Sequence, residues 1–236
     1  MSMPVPPASA AELFGSALPR VADYAVLLAG AGVERGLIGP REVERLWERH
    51  LLNCAVVAEE IPEGALVVDV GSGAGLPGIV LALARPDIQV ALLEPLLRRT
   101  VFLEEAVTEL ALENVRVVRG RAEEWAGRME ADVVTARAVA PLERLVGWCL
   151  PLLRANGRML ALKGETAATE LAAIRGTLPA FGVVAADVVE VGAQFGEAAT
   201  RVVRIDLGAK GFRKPAPKSR SAKPARSTRG GSATRR

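Results

Sequence analysis

The sequence is poor in the residues that build metal centres and nucleophilic active sites. Its 236 residues include one histidine, His50, and two cysteines, Cys54 and Cys149, which lie far apart in apolar contexts. We set aside a histidine-ligated metal site, and we interpret the cysteines as buried thiols in a reducing compartment. A single histidine on a helix is more often packed or solvated than catalytic, which is how we interpret His50. Aromatic residues make up 4% of the chain, which argues against a base-stacking sheet surface.

Long apolar runs and a secretory leader are also missing. Half of the residues are hydrophobic, yet no run reaches the length that crosses a membrane. The first ten residues are rich in proline and alanine and lack the basic-then-apolar order of a signal peptide. We therefore expect a cytoplasmic protein with no membrane partner.

Acidic residues are absent from the end of the chain. Ten of the 30 basic residues and none of the 27 acidic ones lie from Ala209 onward, so residues 1–208 carry a net charge of about −7. The composition of residues 209–236 cannot bury enough apolar surface to fold alone, and it predicts a disordered basic tail. Two interpretations stay open: an arm that contacts RNA phosphates, or a solubilising extension.

Apolar spacing predicts a helical cap followed by an α/β domain. Helical patterns over 10–31, with a possible break at Pro19, and over 41–60 predict an N-terminal cap at 1–60. Strand and helix signals then alternate through 61–208, which favours a parallel sheet covered on both faces. The last two strands have a short connector and should form an antiparallel hairpin, as in the Rossmann-like sheet of class I methyltransferases. The predicted strands are 66–70, 89–94, 115–119, 133–135, 158–163, 183–191 and 200–206, and the predicted helices are 76–84, 96–111, 122–128, 141–153 and 167–178.

The glycine-rich turn after the first strand predicts a cofactor site. Gly71, Gly73 and Gly75 follow a β-branched strand and precede a helix, so the backbone can approach a ligand with no side chain in the way. Glu94 ends the next apolar run, where a carboxylate can accept hydrogen bonds from ribose hydroxyls. The alternative is a glycine turn before a buried helix with no ligand.

The residues after these glycines favour S-adenosylmethionine over a dinucleotide. Leu76 stands where a dinucleotide fingerprint has its third glycine, and Pro77 removes a backbone N–H from the helix start. A pyrophosphate needs several free N–H groups there, whereas S-adenosylmethionine has no phosphate. A nicotinamide-dependent dehydrogenase is therefore the less favoured alternative.

Four more residues lie where strands end at the same edge of the predicted sheet. Ala122 and Glu123 come after the third strand and could meet an adenine edge, or they could simply begin a helix. Arg137 follows the fourth strand and Lys163 closes the fifth. Either cation could hold a carboxylate or a phosphate, or it could be a surface residue.

Several segments together resemble the RsmG (GidB) family of small-subunit ribosomal RNA guanine-N7 methyltransferases. The resemblance spans about residues 40–206, and the GLPG and LKG sequences are its most specific parts. Two segments depart from the family: GLIGP at 36–40 replaces an Asn-Leu-Thr segment, and Glu94 replaces the commoner aspartate. The matching segments are 49–53 (RHLLN), 69–78 (DVGSGAGLPG), 98–103 (RRTVFL), 112–115 (LENV), 121–124 (RAEE), 136–138 (ARA) and 161–164 (ALKG).

The resemblance implies methylation of guanine N7 in the 530 loop of 16S ribosomal RNA in the small subunit, with S-adenosylmethionine as donor. It places Gly71, Leu76, Ala122, Glu123 and Arg137 at the cofactor. N7 carries an in-plane lone pair, so no catalytic base is needed and catalysis comes from alignment and exclusion of water. We predict that Arg137 and Lys163 position phosphate, methionyl carboxylate or base oxygen. A non-catalytic RNA-binding ribosome-assembly factor remains the alternative from another class.

Overall fold

A seven-stranded sheet lies at the centre of the molecule, whose computed structural model describes residues 5–214. The strands are β1 Leu66–Val70, β2 Gln89–Glu94, β3 Val115–Arg119, β4 Ala131–Arg137, β5 Leu153–Leu162, β6 Val183–Val191 and β7 Thr200–Leu207. Their spatial order is β3-β2-β1-β4-β5-β7-β6. The first five strands pair in parallel, and β7 runs antiparallel to both of its neighbours. The predicted mostly parallel sheet with a C-terminal hairpin is confirmed.

Helices cover both faces of this sheet. Strand β1 shows why: Val67 and Val68 are fully buried but belong to two separate core clusters, one on each face. The cluster that contains Val67 also holds the cap, α4 and α5, and the cluster that contains Val68 holds α7 and α8. The α-helices are α1 Ala8–Phe14, α2 Leu18–Leu27, α3 Asn53–Ala55, α4 Gly78–Ala84, α5 Leu97–Glu109, α6 Ala122–Trp125, α7 Leu142–Cys149 and α8 Ala167–Ile174.

The first predicted helix is interrupted, but at Gly15 and not at Pro19. Gly15 ends α1 with φ +49°, a backbone conformation that glycine adopts without strain. Pro19 occupies the first turn of α2, where its missing N–H leaves no helical bond unmade. The proline therefore begins a helix and does not break one.

The second predicted helix is a continuous helical segment of mixed geometry, which we call the cap helix (residues 40–60). It passes through a 3₁₀ turn, a π-helical turn at Trp47–Leu52, the short α3 and a final 3₁₀ turn. The π-helical turn contains His50. Such turns are rare in proteins and often occur at functional sites.

Several boundaries differ from those predicted. Strand β4 continues to Arg137, where it still pairs with Leu162 of β5, so this arginine ends the strand and does not follow it. The helix expected from residue 76 begins at Gly78, because Pro77 is its N-cap. Hydrogen-bonded pairing with a neighbouring strand extends β4 beyond the short apolar run visible in the sequence.

The start of the predicted tail packs on the domain. Phe212 lies against Phe181, with ring centroids 6.3 Å apart, and the Arg213 N–H donates to the Phe181 carbonyl at 2.9 Å. The predicted disorder of residues 215–236 lies outside the described residues. Within residues 5–214, no helix is long and apolar enough to cross a membrane, and no group of three or more His, Cys, Asp or Glu side chains could hold a metal ion.

Candidate cofactor and active site

The glycine-rich loop is stabilised largely by its own backbone. Gly71 donates to the Leu93 carbonyl at 2.8 Å, and Gly75 and Leu76 both donate to the Ser72 carbonyl at 2.7 and 3.2 Å. Gly78 at the helix start donates to Asp69 Oδ2 at 3.1 Å. These N–H groups are therefore engaged within the protein and are not free to bind a ligand. The loop offers a surface without side chains, which suits a cofactor that lacks phosphates.

Two of the loop glycines are required by close contacts as well as by backbone conformation. Gly71 has φ +69°, and a Cβ there would lie 2.8 Å from Cγ2 of Val139. Gly75 has φ +95°, and its Cβ would lie 2.8 Å from the hydroxyl of Tyr24. That buried hydroxyl donates to the Ala74 carbonyl at 2.6 Å, so the cap fixes the loop directly.

Glu94 lies where the sequence predicts it, but both of its oxygens have partners. Oε2 accepts from the Gly73 N–H and Oε1 from the Leu96 N–H, each at 3.0 Å. Arg99 Nη1 lies 3.5 Å from Oε2, and Glu94 is only 1% exposed. The carboxylate thus ties the glycine loop to the end of β2. Its free lone pairs remain available to hydroxyl donors.

Two cavities meet at Gly71. One, which we call the β3 cavity, has a volume of about 160 Å³. The other, which we call the cap cavity, has a volume of about 230 Å³. The β3 cavity is lined by Val70, Gly71, Leu93, Pro95, Gly120, Arg121, Ala122, Glu123, Val139 and Trp148. The cap cavity is lined by Leu37, Ile38, His50, Gly71, Ser72, Gly73, Ala74, Leu76, Arg99, Arg137 and Ala138. Together they form one cleft along the carboxyl ends of β1, β2 and β4.

Arg137 lies in the cap cavity and is held by the cap helix. Its Nη1 donates to Cys54 Sγ at 2.9 Å and contacts the His50 carbonyl at 3.5 Å. Its Nη2 contacts His50 Nδ1, and His50 Nε2 lies 2.8 Å from Glu42 Oε2. His50 is therefore a buried member of a polar chain, and it lines the cleft.

Lys163 lines neither cavity. Its Nζ donates to the Ala140 carbonyl at 2.5 Å and pairs with Glu170 Oε2 at 2.9 Å. Glu170 also accepts from the Leu142 N–H at the start of α7. These contacts give Lys163 a structural position behind the 138–141 loop, which is the segment that carries Val139 into the cleft.

Asp69 at the end of β1 is a buried acid beneath the glycine loop. It accepts hydrogen bonds from Gly78 N–H and from the Thr135 hydroxyl at 3.1 Å each, and it is fully buried. Burial raises the pKa of Asp69 from 3.8 to about 6, although these hydrogen bonds act in the opposite direction. The carboxylate is thus mostly ionised in the folded state only above about pH 6.

The raised pKa of Asp69 predicts a pH-dependent stability difference between the wild type and Asp69→Asn. Below pH ~4 the acid is protonated in both the folded and unfolded states. Between pH ~4 and ~6 Asp69 ionises only in the unfolded state. The free energy of unfolding of the wild type therefore falls by about 3 kcal/mol as the pH rises through this range. Asparagine does not titrate, so we expect the variant to gain stability relative to the wild type from pH 4.5 to 7.5, measured by urea unfolding. A difference in the free energy of unfolding that stays the same from pH 4.5 to 7.5 would contradict the raised pKa of Asp69.

Sequence reasoning missed the residues that reach the cleft from distant parts of the chain. Leu37 and Ile38 line the cap cavity from the segment that departs from the family pattern, and Trp148 lines the β3 cavity from α7. No local motif marks them. Arg99 belongs to segment 98–103, one of those that resemble the family. Its place five residues after Glu94 is the sequence signal that could have identified it.

The cleft fits S-adenosylmethionine on two observations. Both cavities are lined by Gly71, which has no side chain to separate them, so one ligand can extend from one cavity into the other. The Nε of Arg99 is buried in the cleft without a partner among residues 5–214, which provides a donor for a polar ligand group. The sheet order, the glycine loop and this cleft define a class I S-adenosylmethionine-dependent methyltransferase.

Comparisons with known proteins identify the family. The family described as rRNA small subunit methyltransferase G (GidB) matches residues 17–197. "Ribosomal RNA small subunit methyltransferase G" of Thermobifida fusca is 62% identical over 203 residues, covering 86% of each chain. The Streptomyces avermitilis protein of the same name is 54% identical and covers 96% of this chain and 97% of its own. This chain belongs to that family, and it is an S-adenosylmethionine-dependent rRNA methyltransferase.

Solved structures share the fold at low sequence identity. A SAM-dependent methyltransferase from Aquifex aeolicus aligns with a TM-score of 0.53 and 18% identity, covering 75% of this chain and 97% of its own. TYW2 of M. jannaschii in complex with AdoMet aligns with a TM-score of 0.50 and 19% identity, covering 65% and 72%. The expected fold is confirmed.

Proposed function

We propose that this protein transfers the methyl group of S-adenosylmethionine to N7 of a guanine in the 530 loop of 16S ribosomal RNA. The observation that carries the proposal is that the two potential bases beside the cap cavity, Glu94 and His50, are both engaged by other protein groups. Glu94 accepts two backbone N–H groups, and His50 lies between Glu42 and Arg137. Guanine N7 has a lone pair and needs no deprotonation, unlike a ring N–H, an exocyclic amine or a ribose hydroxyl. The identity of the family supports the same target.

The residues of the cleft have separate roles in this proposal. When bound, S-adenosylmethionine supplies a methyl group on an electrophilic sulfonium. Gly71, Gly73 and Gly75 leave space for it, and Glu94 accepts from ribose hydroxyls with its remaining lone pairs. Ala122 and Glu123 face the adenine edge in the β3 cavity.

The remaining predicted residues act on the cap side. Leu76 lines the cap cavity and excludes water there. Arg137 holds the methionyl carboxylate, an RNA phosphate or a base oxygen through its free N–H groups. Lys163 supports the 138–141 loop, and its contacts favour this positioning role over contact with substrate. The protein acts in the cytoplasm, where small ribosomal subunits are assembled.

The test is to locate the methyl group chemically. Purified protein is incubated with labelled S-adenosylmethionine and small subunits from a strain that lacks the enzyme, and borohydride–aniline cleavage then maps N7-methylguanosine. We expect one new cleavage in the 530 loop of 16S rRNA. Label without cleavage would place the methyl group on another atom, and cofactor binding without label would favour the assembly factor.

We further propose that residues 215–236 bind RNA phosphates. This segment carries seven basic residues and no acid. Deleting it should make the dependence of log K on log[KCl] less steep by up to about 5, which is ~0.7 for each lost contact to single-stranded RNA. The matched control has the same length, with every Lys and Arg of the segment changed to Gln. An unchanged slope in both variants would make the segment a solubilising extension.

A further inference from the structure

A polar chain connects the cap helix to the floor of the cleft. Glu42 Oε2 lies 2.8 Å from His50 Nε2, and His50 Nδ1 contacts Nη2 of Arg137. His50 is 8% exposed, so water has little access to compete for these contacts. The three side chains come from two separate elements, the cap helix and strand β4, and they meet only in the folded protein.

The chemistry of these groups fixes the protonation of the imidazole. A guanidinium has only N–H donors, so the His50 nitrogen that it contacts must be an unprotonated acceptor. That nitrogen is Nδ1, and the proton of the neutral ring is then on Nε2, where the Glu42 carboxylate accepts it. The arrangement needs a neutral His50 in the Nε2–H tautomer.

The same contacts leave part of Arg137 available to a ligand. Three N–H groups are directed at Cys54 Sγ, the His50 carbonyl and His50 Nδ1. The Nε–H and the second N–H of Nη2 contact no acceptor within residues 5–214. Because the guanidinium is planar and rigid, fixing one side of it also fixes the direction of the remaining donors.

We propose that Glu42 and His50 are positioning residues for Arg137, and that protonation of His50 releases the guanidinium and weakens ligand binding in the cap cavity. A protonated imidazole can no longer accept from Nη2 and places a second positive charge beside the first. The effect on the cofactor rests on the proposed role of Arg137, whereas the hydrogen-bonded chain itself does not.

The charged groups around His50 determine when it protonates. Burial and the positive charge of Arg137 lower the pKa of His50 below its usual 6.5, and Arg49 acts in the same direction. The Glu42 hydrogen bond and charge oppose this shift. The charge of Arg137 also acts on Asp69, whose own pKa is raised by burial. His50 is therefore neutral at pH 7, and it gains its proton only in acid.

The first test uses the fact that the chain has a single histidine. Nitrogen-15 NMR of the cofactor-free protein at pH 7.5 should show a protonated Nε2 and an unprotonated Nδ1. Arg137→Ala should raise the titration midpoint of His50, and Glu42→Gln should lower it. A protonated Nδ1, or midpoints that do not move in these directions, would overturn the proposal.

The second test measures the dissociation constant of S-adenosylhomocysteine by calorimetry at pH 7.5 and 5.5. In the wild type we expect weaker binding in acid. In His50→Asn the amide oxygen replaces Nδ1 as acceptor and does not titrate. The ratio of the dissociation constant at pH 5.5 to that at pH 7.5 should therefore fall, and what remains of the pH effect is the part that comes from protonation of Asp69. His50→Ala lacks the acceptor and should bind about 10-fold more weakly than His50→Asn at pH 7.5.

Control variants separate the possible outcomes. Asp69→Asn removes the buried acid whose pKa is about 6, so an acid effect that persists in this variant and disappears in His50→Asn belongs to His50. An acid effect unchanged in His50→Asn would contradict the proposal. If the NMR results hold and no variant alters the dissociation constant, Arg137 does not contact the cofactor, and the hydrogen-bonded chain would then act on RNA. Circular dichroism verifies that each variant is folded.

Discussion

Replacing Arg137 by alanine should reduce cofactor binding or rRNA methylation at least about 100-fold. The two N–H groups that the protein leaves free on this side chain can each make a charge-assisted bond. Two such bonds are worth about 3 kcal/mol or more, which is roughly 100-fold in an equilibrium constant. Calorimetry with S-adenosylhomocysteine and methylation of unmodified small subunits measure the two effects separately.

The pattern of loss distinguishes a cofactor group held by Arg137 from an RNA group. Weaker binding of S-adenosylhomocysteine indicates the methionyl carboxylate, and normal binding with slow methylation indicates an RNA phosphate or a base oxygen. Arg137→Lys keeps the charge but not the planar fork, so it should recover little activity. Arg116→Ala is the matched control, because it removes an exposed arginine from edge strand β3. Unchanged affinity and unchanged methylation in Arg137→Ala would refute the assignment.

The order of secondary structure could be predicted from the sequence because each strand is a short apolar run between helical patterns. The run at Val67 and Val68 is buried on both faces, as is typical of a central strand in a parallel sheet. Strand ends could not be predicted in this way. Residues such as Arg137 extend a strand by pairing with a neighbour, and the partner is set by topology and not by local sequence.

The glycine loop and Glu94 could be located because their chemistry is local in sequence. The roles of His50 and Lys163 could not, since each depends on partners from distant elements. His50 contacts a β4 residue 87 positions away, and Lys163 contacts the Ala140 carbonyl 23 positions away. His50 is packed, as one of the two interpretations from the sequence has it, and its imidazole also lines the cleft and contacts Arg137.

Gly71→Ala should weaken S-adenosylhomocysteine binding about 10- to 100-fold while leaving the protein folded. The new Cβ would lie 2.8 and 3.0 Å from the two γ-methyl carbons of Val139, so Val139 must move into the cleft. Overpacking of this kind costs about 1–3 kcal/mol. The φ of +69° adds strain, which a matched control can measure.

Gly64→Ala is that control, because Gly64 has φ +66° and a Cβ there meets nothing within 4 Å. Both variants should lose about 1–2 kcal/mol of folding stability from backbone strain, but only Gly71→Ala should lose affinity. Adding Val139→Ala to Gly71→Ala removes the methyl groups in conflict and should restore part of the binding. If the double variant binds no better than Gly71→Ala, the loss comes from the backbone of the loop, and the junction between the two cavities is not where the cofactor passes.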